Sequence, residues 1–136
     1  MKNKTSIIIV VWGIAVLCTL FLSSCKRPEV LDNSTLVNSA RNVALTFGPA
    51  YVPFFKEANV SDVQVFKKED YGDSRPQIRK QIGRKFYTVT FTYDSTAVKF
   101  DFGFAARVRI WKDTGEPLDV IFGNGCTAVP FRNHRA

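Results

Sequence analysis

Few side chains in this sequence are of a type that carries out covalent or acid–base chemistry. Cys126 and His134 could form a thiol–imidazole pair, but no third group that would orient the imidazole is evident. Asp101 and Asp119 could act as an acid and a base, yet Asp101 alternates with cationic residues, as solvated cross-strand pairs do. We therefore predict no catalytic residue, and we expect Cys126 to be a small buried side chain.

Metal and cofactor sites are not indicated either. The chain has a single histidine and three cysteines, and its acidic residues are not clustered at the spacing of metal ligands. It has no glycine loop of the phosphate-binding kind and no serine-elbow motif. The sequence therefore predicts a protein that is not an enzyme and has no metal and no cofactor.

A cluster of basic residues is the more specific signal. Five of them fall within eleven residues, and two more, with a tryptophan, lie on the polar face of a later strand. The candidate residues for binding an anionic partner are Arg75, Arg79, Lys80, Arg84, Lys85, Arg107, Arg109 and Trp111. An aromatic side chain beside arginine is a typical interface anchor. The alternative is that cations at strand ends only deter edge-to-edge aggregation.

The N-terminal segment indicates where the protein acts. Lys2 and Lys4 precede an apolar run from Ile7 to Leu22, which is typical of an export signal. The sequence Leu22-Ser23-Ser24-Cys25 resembles the lipobox of bacterial lipoproteins. The resemblance implies that residues 1–24 are a signal peptide removed by signal peptidase II, that Cys25 carries a diacylglyceryl group, and that its new amine is acylated, as with palmitate.

Two other interpretations of this segment remain open. The apolar run of sixteen residues is slightly short for a transmembrane anchor, which needs about 20. A conventionally secreted protein would also carry small residues before a cleavage site. These alternatives predict, respectively, a membrane-spanning protein and a protein without a lipid anchor.

The lipoprotein resemblance also implies an address and a class of partner. In well-studied diderm bacteria an aspartate after the cysteine retains lipoproteins in the inner membrane. Lys26 stands there instead, which favours the periplasmic leaflet of the outer membrane over the inner membrane or the cell surface. Cleavage would remove two of the 19 basic residues, leaving 17 against 12 acidic ones, a formal charge of +5.

That charge favours an acidic protein, a polysaccharide or lipid headgroups as the partner, and nucleic acid is not expected at this address. We therefore expect an envelope lipoprotein, held in the bilayer by acylated Cys25, that acts as a non-enzymatic binding or adaptor domain for an anionic partner. One alternative is an inhibitor or immunity-type lipoprotein that blocks a specific protein with the hairpin at 113–117. A thiol-dependent enzyme is the other.

The mature chain is long enough for one domain. Residues 25–33 are predicted to be a lipidated tether and 34–136 a single α+β domain. Apolar residues at helical spacing predict a helix from Leu36 to Phe47, capped by Asp32 or Ser34 and ended by Gly48-Pro49. A second short helix is predicted over 50–57.

Apolar and polar residues alternate through most of the remaining chain, which predicts antiparallel strands. The predicted strands are 63–71, 85–93, 98–111 and 118–122, with turns at 94–96 and 112–117. Because 98–111 is longer than a small domain needs, we expect it to bend at Gly103. The expected fold is one helix or two packed on a three- to four-stranded antiparallel meander, similar in outline to cystatin-like or NTF2-like proteins. An incomplete β-sandwich or barrel is the alternative.

Overall fold

A computed structural model of the protein describes residues 31–70 and 79–128. The described residues belong to one compact unit, Leu31–Ala136. The predicted signal peptide, Cys25, Arg75 and His134 lie outside the described residues.

The predicted first helix is confirmed. Helix α1 spans Asn33–Phe47, and the carboxylate of Asp32 caps it by accepting the backbone N–H of Thr35 at 2.7 Å. It ends at Gly48, whose N–H donates to the carbonyl of Ala44. A side chain cannot fit at Gly48, because an added Cβ would lie 2.3 Å from the ring of Phe122. The predicted second short helix is present as a 3-10 helix that spans Pro49–Phe54.

The strands form an antiparallel sheet, so the α+β prediction is confirmed. Their bounds are β1 Ala58–Val60, β2 Gln64–Val65, β3 Lys85–Phe91, β4 Ala106–Trp111, β5 Pro117–Phe122 and β6 Thr127–Ala128. From β3 to β6 each strand pairs with the next along the chain, and β1 and β2 both pair with the outer side of β3. Within the described residues the sheet therefore has six strands, more than the three or four predicted.

The predicted strand over 63–71 is confirmed only at Gln64–Val65, which is β2, and a 3-10 turn follows at Lys68–Asp70. The sheet edge also includes β1, which was not predicted, and Tyr71 lies outside the described residues. Between the two short strands, Ser61 N–H donates to the carbonyl of Thr88, while the Ser61 hydroxyl accepts the Thr88 N–H at 3.0 Å. This side chain replaces a backbone acceptor, so pairing breaks off at Ser61 and resumes at Gln64.

The prediction of one long strand bent at Gly103 is wrong, because only its second half, β4, is a strand. In the segment 98–105 the ring of Phe100 packs against Tyr93 and Tyr51, with centroids 4.8 and 5.6 Å away. The backbone N–H of Phe102 donates to the carbonyl of Gly123. The alternating phenylalanines therefore reflect packing around the turn after β5.

One face of the sheet packs on α1 and holds the main core. Buried strand residues there are Val89, Phe91, Ala106, Val108, Ile110, Val120 and Phe122. They meet Leu36, Ala40 and Ala44 of the helix, which are at most 1% exposed. The period of two in the strands and the helical spacing in α1 therefore identify the same buried layer.

The other face, called here the second face, carries a smaller cluster of four buried residues. These are Phe66, Phe86, Trp111 and Leu118. The ring of Trp111 meets those of Phe66 and Phe86 edge-on, with centroids 5.5 and 6.3 Å apart. Arg84 and Arg109, which the sequence assigned to partner binding, cover the cluster.

Candidate functional site

Four exposed cations come together at one end of the sheet, called here the hairpin end because the turn between β4 and β5 lies there. They are Arg79, Lys80, Lys85 and Lys112. Lys85 opens β3 and Lys112 follows β4, and the backbone N–H of Lys112 donates to the carbonyl of Lys85 at 2.9 Å. Antiparallel pairing of β3 with β4 therefore places cations from distant parts of the sequence side by side.

Arg84, also assigned to partner binding, is largely occupied within the domain. Its guanidinium donates to both carboxylate oxygens of Asp113, at 3.0 and 2.6 Å, and lies 4.0 Å from the ring centroid of Trp111. The hydrogen bonds from Arg84 hold the pKa of Asp113 below its usual range. Arg84 therefore joins the hairpin turn to the second-face cluster rather than presenting a free charge.

The prediction of Trp111 as an exposed interface anchor is wrong. Trp111 does lie on the same face as Arg109, but it is fully buried. Phe66 and Phe86 enclose its ring, and Arg84 covers it. The alternation in sequence gives the face on which a side chain lies, but it does not show that an earlier segment folds over that face.

Arg109 is likewise part of an internal ion pair. It lies opposite Asp119 in the pairing of β4 with β5, and its Nε and Nη2 donate to the two carboxylate oxygens at 2.9 and 2.5 Å. The side chains are 15% and 3% exposed. Solvated cross-strand pairing was expected of Asp101, whereas the structure forms a buried cross-strand pair with Asp119. Asp101 is exposed in the segment 98–105.

Arg107 is exposed and lies 4.3 Å from the ring centroid of Phe104. It stands near the start of β4, whereas Lys112 follows the end of that strand. Five residues of strand separate the two by about 17 Å. The predicted single positive surface is therefore divided, and among the described residues Arg79, Lys80 and Lys85 of the original set stay together.

Lys112 is the member of the hairpin-end group that sequence reasoning missed. The signal was present, because a strand over 85–93 paired with one ending at Trp111 places the residue after Trp111 beside the start of the first strand. Lysines 67 and 68 also follow β2 at this end, next to the acidic Glu69 and Asp70.

The prediction of a buried Cys126 is wrong as well. Cys126 is exposed, in the turn after β5, and its N–H donates to the side chain of Asn124 at 3.1 Å. Burial raises the pKa of Tyr51, and the charge of a Cys126 thiolate would raise it further. Because the end of β5 pairs with the start of β4, the cysteine in the turn after β5 lies at the opposite end of the sheet from Lys112.

The described residues contain no group of acids, histidines and cysteines that could hold a metal ion. A shallow groove of about 590 Å³ runs along α1 and is lined mainly by uncharged polar side chains, among them Asn38, Ser39 and Asn42. Those side chains can donate and accept hydrogen bonds, but they offer neither an ionised base nor a thiol.

In the described ranges, 31–70 and 79–128, no helix has both the length and the apolar character needed to cross a bilayer. No protein-family model, curated protein or solved structure matches the chain.

Proposed function

We propose that this protein is a bacterial envelope lipoprotein, anchored through acylated Cys25, whose domain binds an anionic partner through the hairpin end. The observation that carries the proposal is that the exposed residues Arg79, Lys80, Lys85 and Lys112 lie at the same end of the sheet. Clustered cations raise the local concentration of anionic ligands and speed their association. Acidic protein, polysaccharide and lipid headgroups all satisfy this chemistry.

The proposed role is binding without catalysis. Asp119 is the buried carboxylate of the described domain, and it is hydrogen-bonded to Arg109 on both oxygens. Asp101, its suggested partner in acid–base chemistry, is exposed in another segment. This arrangement supports a structural role for Asp119.

Two finer points belong to the same proposal. The order of one helix followed by a β3-to-β6 meander supports a cystatin-like or NTF2-like outline. That outline hosts unrelated functions and does not bear on the activity. The lipobox and Lys26 support placement in the periplasmic leaflet of the outer membrane.

Metabolic labelling with a palmitate analogue tests the anchor. The wild-type protein should incorporate label, and Cys25→Ala should lose it, because the thiol and the new amine of that residue are the acceptors. An unlabelled wild-type protein, or label retained in Cys25→Ala, would contradict lipidation.

A pull-down with the full-length lipoprotein at low and high salt tests the binding role. A partner held by the hairpin end should dissociate as salt rises, because exposed charges are screened over about 10 Å or less. Lys85→Gln/Lys112→Gln should weaken capture. Lys56→Gln/Lys99→Gln removes the same charge elsewhere and should not. Equal loss in both variants would contradict a role for the hairpin end.

A second candidate function is that of an inhibitor or immunity-type lipoprotein that uses the hairpin at 113–117. The observation in its favour is that a hydrogen bond and an ion pair constrain this turn. Gly115 N–H donates to the carbonyl of Trp111 at 2.8 Å, and Asp113 is fixed by Arg84. A preorganised loop loses little entropy on binding. A partner retained at high salt and lost on Glu116→Ala would favour this function.

A further inference from the structure

The point at which the chain enters the described domain lies at the hairpin end. Leu31 packs against the turn between β4 and β5, where a Cβ added at Gly115 would lie 3.3 Å from Leu31 Cδ2. Leu31 also contacts the main core, so its position is fixed by packing. The segment that precedes it therefore starts from the surface that carries Lys112 and Lys85.

Chain length limits how far this surface can lie from the anchor. Six residue steps separate Cys25 from Leu31, so their Cα atoms are at most about 22 Å apart. If Cys25 is acylated, as proposed above, the hairpin end stays close to the headgroups of the same bilayer. The inference below depends on that part of the proposed function.

The opposite end of the sheet has a different chemistry. Lys56 there forms an ion pair with Asp94 at 3.1 Å, and Asp101 is exposed nearby. Phe54 and Phe102 are exposed at 39% and 46%. This phenylalanine-rich end also carries the exposed Lys99 and Arg107, so it differs from the hairpin end in its exposed phenylalanines and in the pairing of Lys56.

We propose that the hairpin end docks on anionic phospholipid headgroups of the bilayer that holds Cys25, which orients the phenylalanine-rich end away from the membrane. Arg79, Lys80, Lys85 and Lys112 supply the attraction, and the tether supplies the proximity. Basic residues near an anionic leaflet each shift such an equilibrium about fivefold. This names the partner of the proposed binding surface as the membrane itself.

The test uses the only tryptophan of the mature chain. The sequence has two, Trp12 in the signal peptide and Trp111. Trp111 lies one residue before Lys112, beneath the Arg84 guanidinium, so its fluorescence reports how near the hairpin end is to a quencher. The mature lipoprotein is reconstituted in nanodiscs of phosphatidylcholine, with or without phosphatidylglycerol, that contain a nitroxide on the lipid headgroup.

Docking predicts stronger quenching of Trp111 in the anionic discs than in the neutral ones, and high salt should abolish the difference. Lys85→Gln/Lys112→Gln should shift the docking equilibrium about 30-fold and remove most of the difference. Lys56→Gln/Lys99→Gln, with the same change in charge at the other end, should retain it. Circular dichroism of both variants shows whether the fold is intact.

Equal quenching in the two kinds of disc, or equal effects of the two variants, would overturn the inference. If the phenylalanine-rich end faces the lipid, quenching of Trp111 should likewise be equal in the two kinds of disc. Mass spectrometry of the mature chain separates this failure from that of the proposed function. A chain without acyl groups contradicts the anchor, whereas an acylated chain with unchanged quenching and a salt-sensitive macromolecular partner contradicts only the membrane as partner.

Discussion

The two faces of the sheet are stabilised by different chemistry. On the helix face, buried aliphatic and aromatic residues pack against α1 with no buried charge among them. On the second face, four apolar residues are covered by Arg84 and Arg109, each of which is bonded to a carboxylate. The first face gains stability from removing apolar surface from water, and the second depends in addition on pairing its charges.

This difference shows why a basic residue in a strand is a poor guide to function by itself. Arg107 is exposed, whereas Arg109, two residues later on the same face, is paired with buried Asp119. The residues differ in what lies beside them, because Asp119 stands opposite Arg109 and Ile121 opposite Arg107. The register of the neighbouring strand therefore decides which arginine is available.

The largest effect is expected from Phe91→Ala on the helix face. Phe91 is fully buried and stacks on Phe55 at 4.2 Å, so its truncation should lower the free energy of unfolding by about 3–5 kcal/mol. Urea denaturation followed by circular dichroism measures it. A loss below about 1 kcal/mol would mean that this face collapses around the cavity and is not closely packed.

Asp119→Ala should be the next most damaging change. It leaves Arg109 inside the second face without its carboxylate, at a cost of about 3 kcal/mol. The double variant Arg109→Met/Asp119→Leu should recover most of that loss, since apolar residues of similar size often replace a buried ion pair. If the double variant is less stable than Asp119→Ala, apolar residues cannot replace this ion pair, and the pair itself stabilises the fold.

A smaller effect is expected from Arg84→Met, which keeps an apolar stem over Trp111 but removes the guanidinium. The lost cation–π contact and the partly exposed pair with Asp113 should together cost about 1 kcal/mol. Asp113→Asn retains Arg84 above the ring and serves as the matched variant, with a smaller loss. Equal losses would show that the ion pair, and not the ring contact, stabilises this corner.

The smallest effect is expected on the loss of stability at acid pH. Because the folded-state pKa of Asp113 is lowered from 3.8 by Arg84, its stabilisation is present above that value and declines as the pH falls further. The stability of the wild-type protein should therefore decrease more steeply than that of Asp113→Asn on acidification to about pH 2. Parallel urea midpoints for the two proteins would contradict the predicted link.

Asp94, beyond the end of β3, is a second source of acid sensitivity. Hydrogen bonds from Thr96 and Lys56 lower its pKa from 3.8 to about 2. Asp94→Asn should remove that contribution without altering the one from Asp113, since the two lie at opposite ends of the sheet. Comparing the two variants therefore separates the acid sensitivity of the second face from that of the opposite end of the sheet.

Local patterns were sufficient to predict α1, the strand from Lys85 and the hairpin turn. Each of these has a period, a cap or a glycine that acts through neighbouring residues. The segment 98–105 misled because its phenylalanines alternate as in a strand while they pack around Tyr51 and Tyr93. The contact with Tyr51 joins residues 49 positions apart, and single-sequence periodicity does not record it.

The candidate-site residues show the same difference between local sequence patterns and long-range contacts. Lys80 and Lys85 were predicted because they are close in sequence, and they remain exposed. The burial of Trp111 depends on Phe66 folding back over β4, which is a long-range event. Lys112 could have been identified from strand pairing, since it follows the predicted end of the strand opposite Lys85.

The exposed thiol of Cys126 has a practical consequence. If Cys25 is acylated and residues 1–24 are removed, as proposed, Cys126 would be the one free cysteine of the three in the sequence. A maleimide dye would then attach at a single known position, at the phenylalanine-rich end, without any substitution. Energy transfer from that dye to a labelled lipid would give the height of the domain above the bilayer directly.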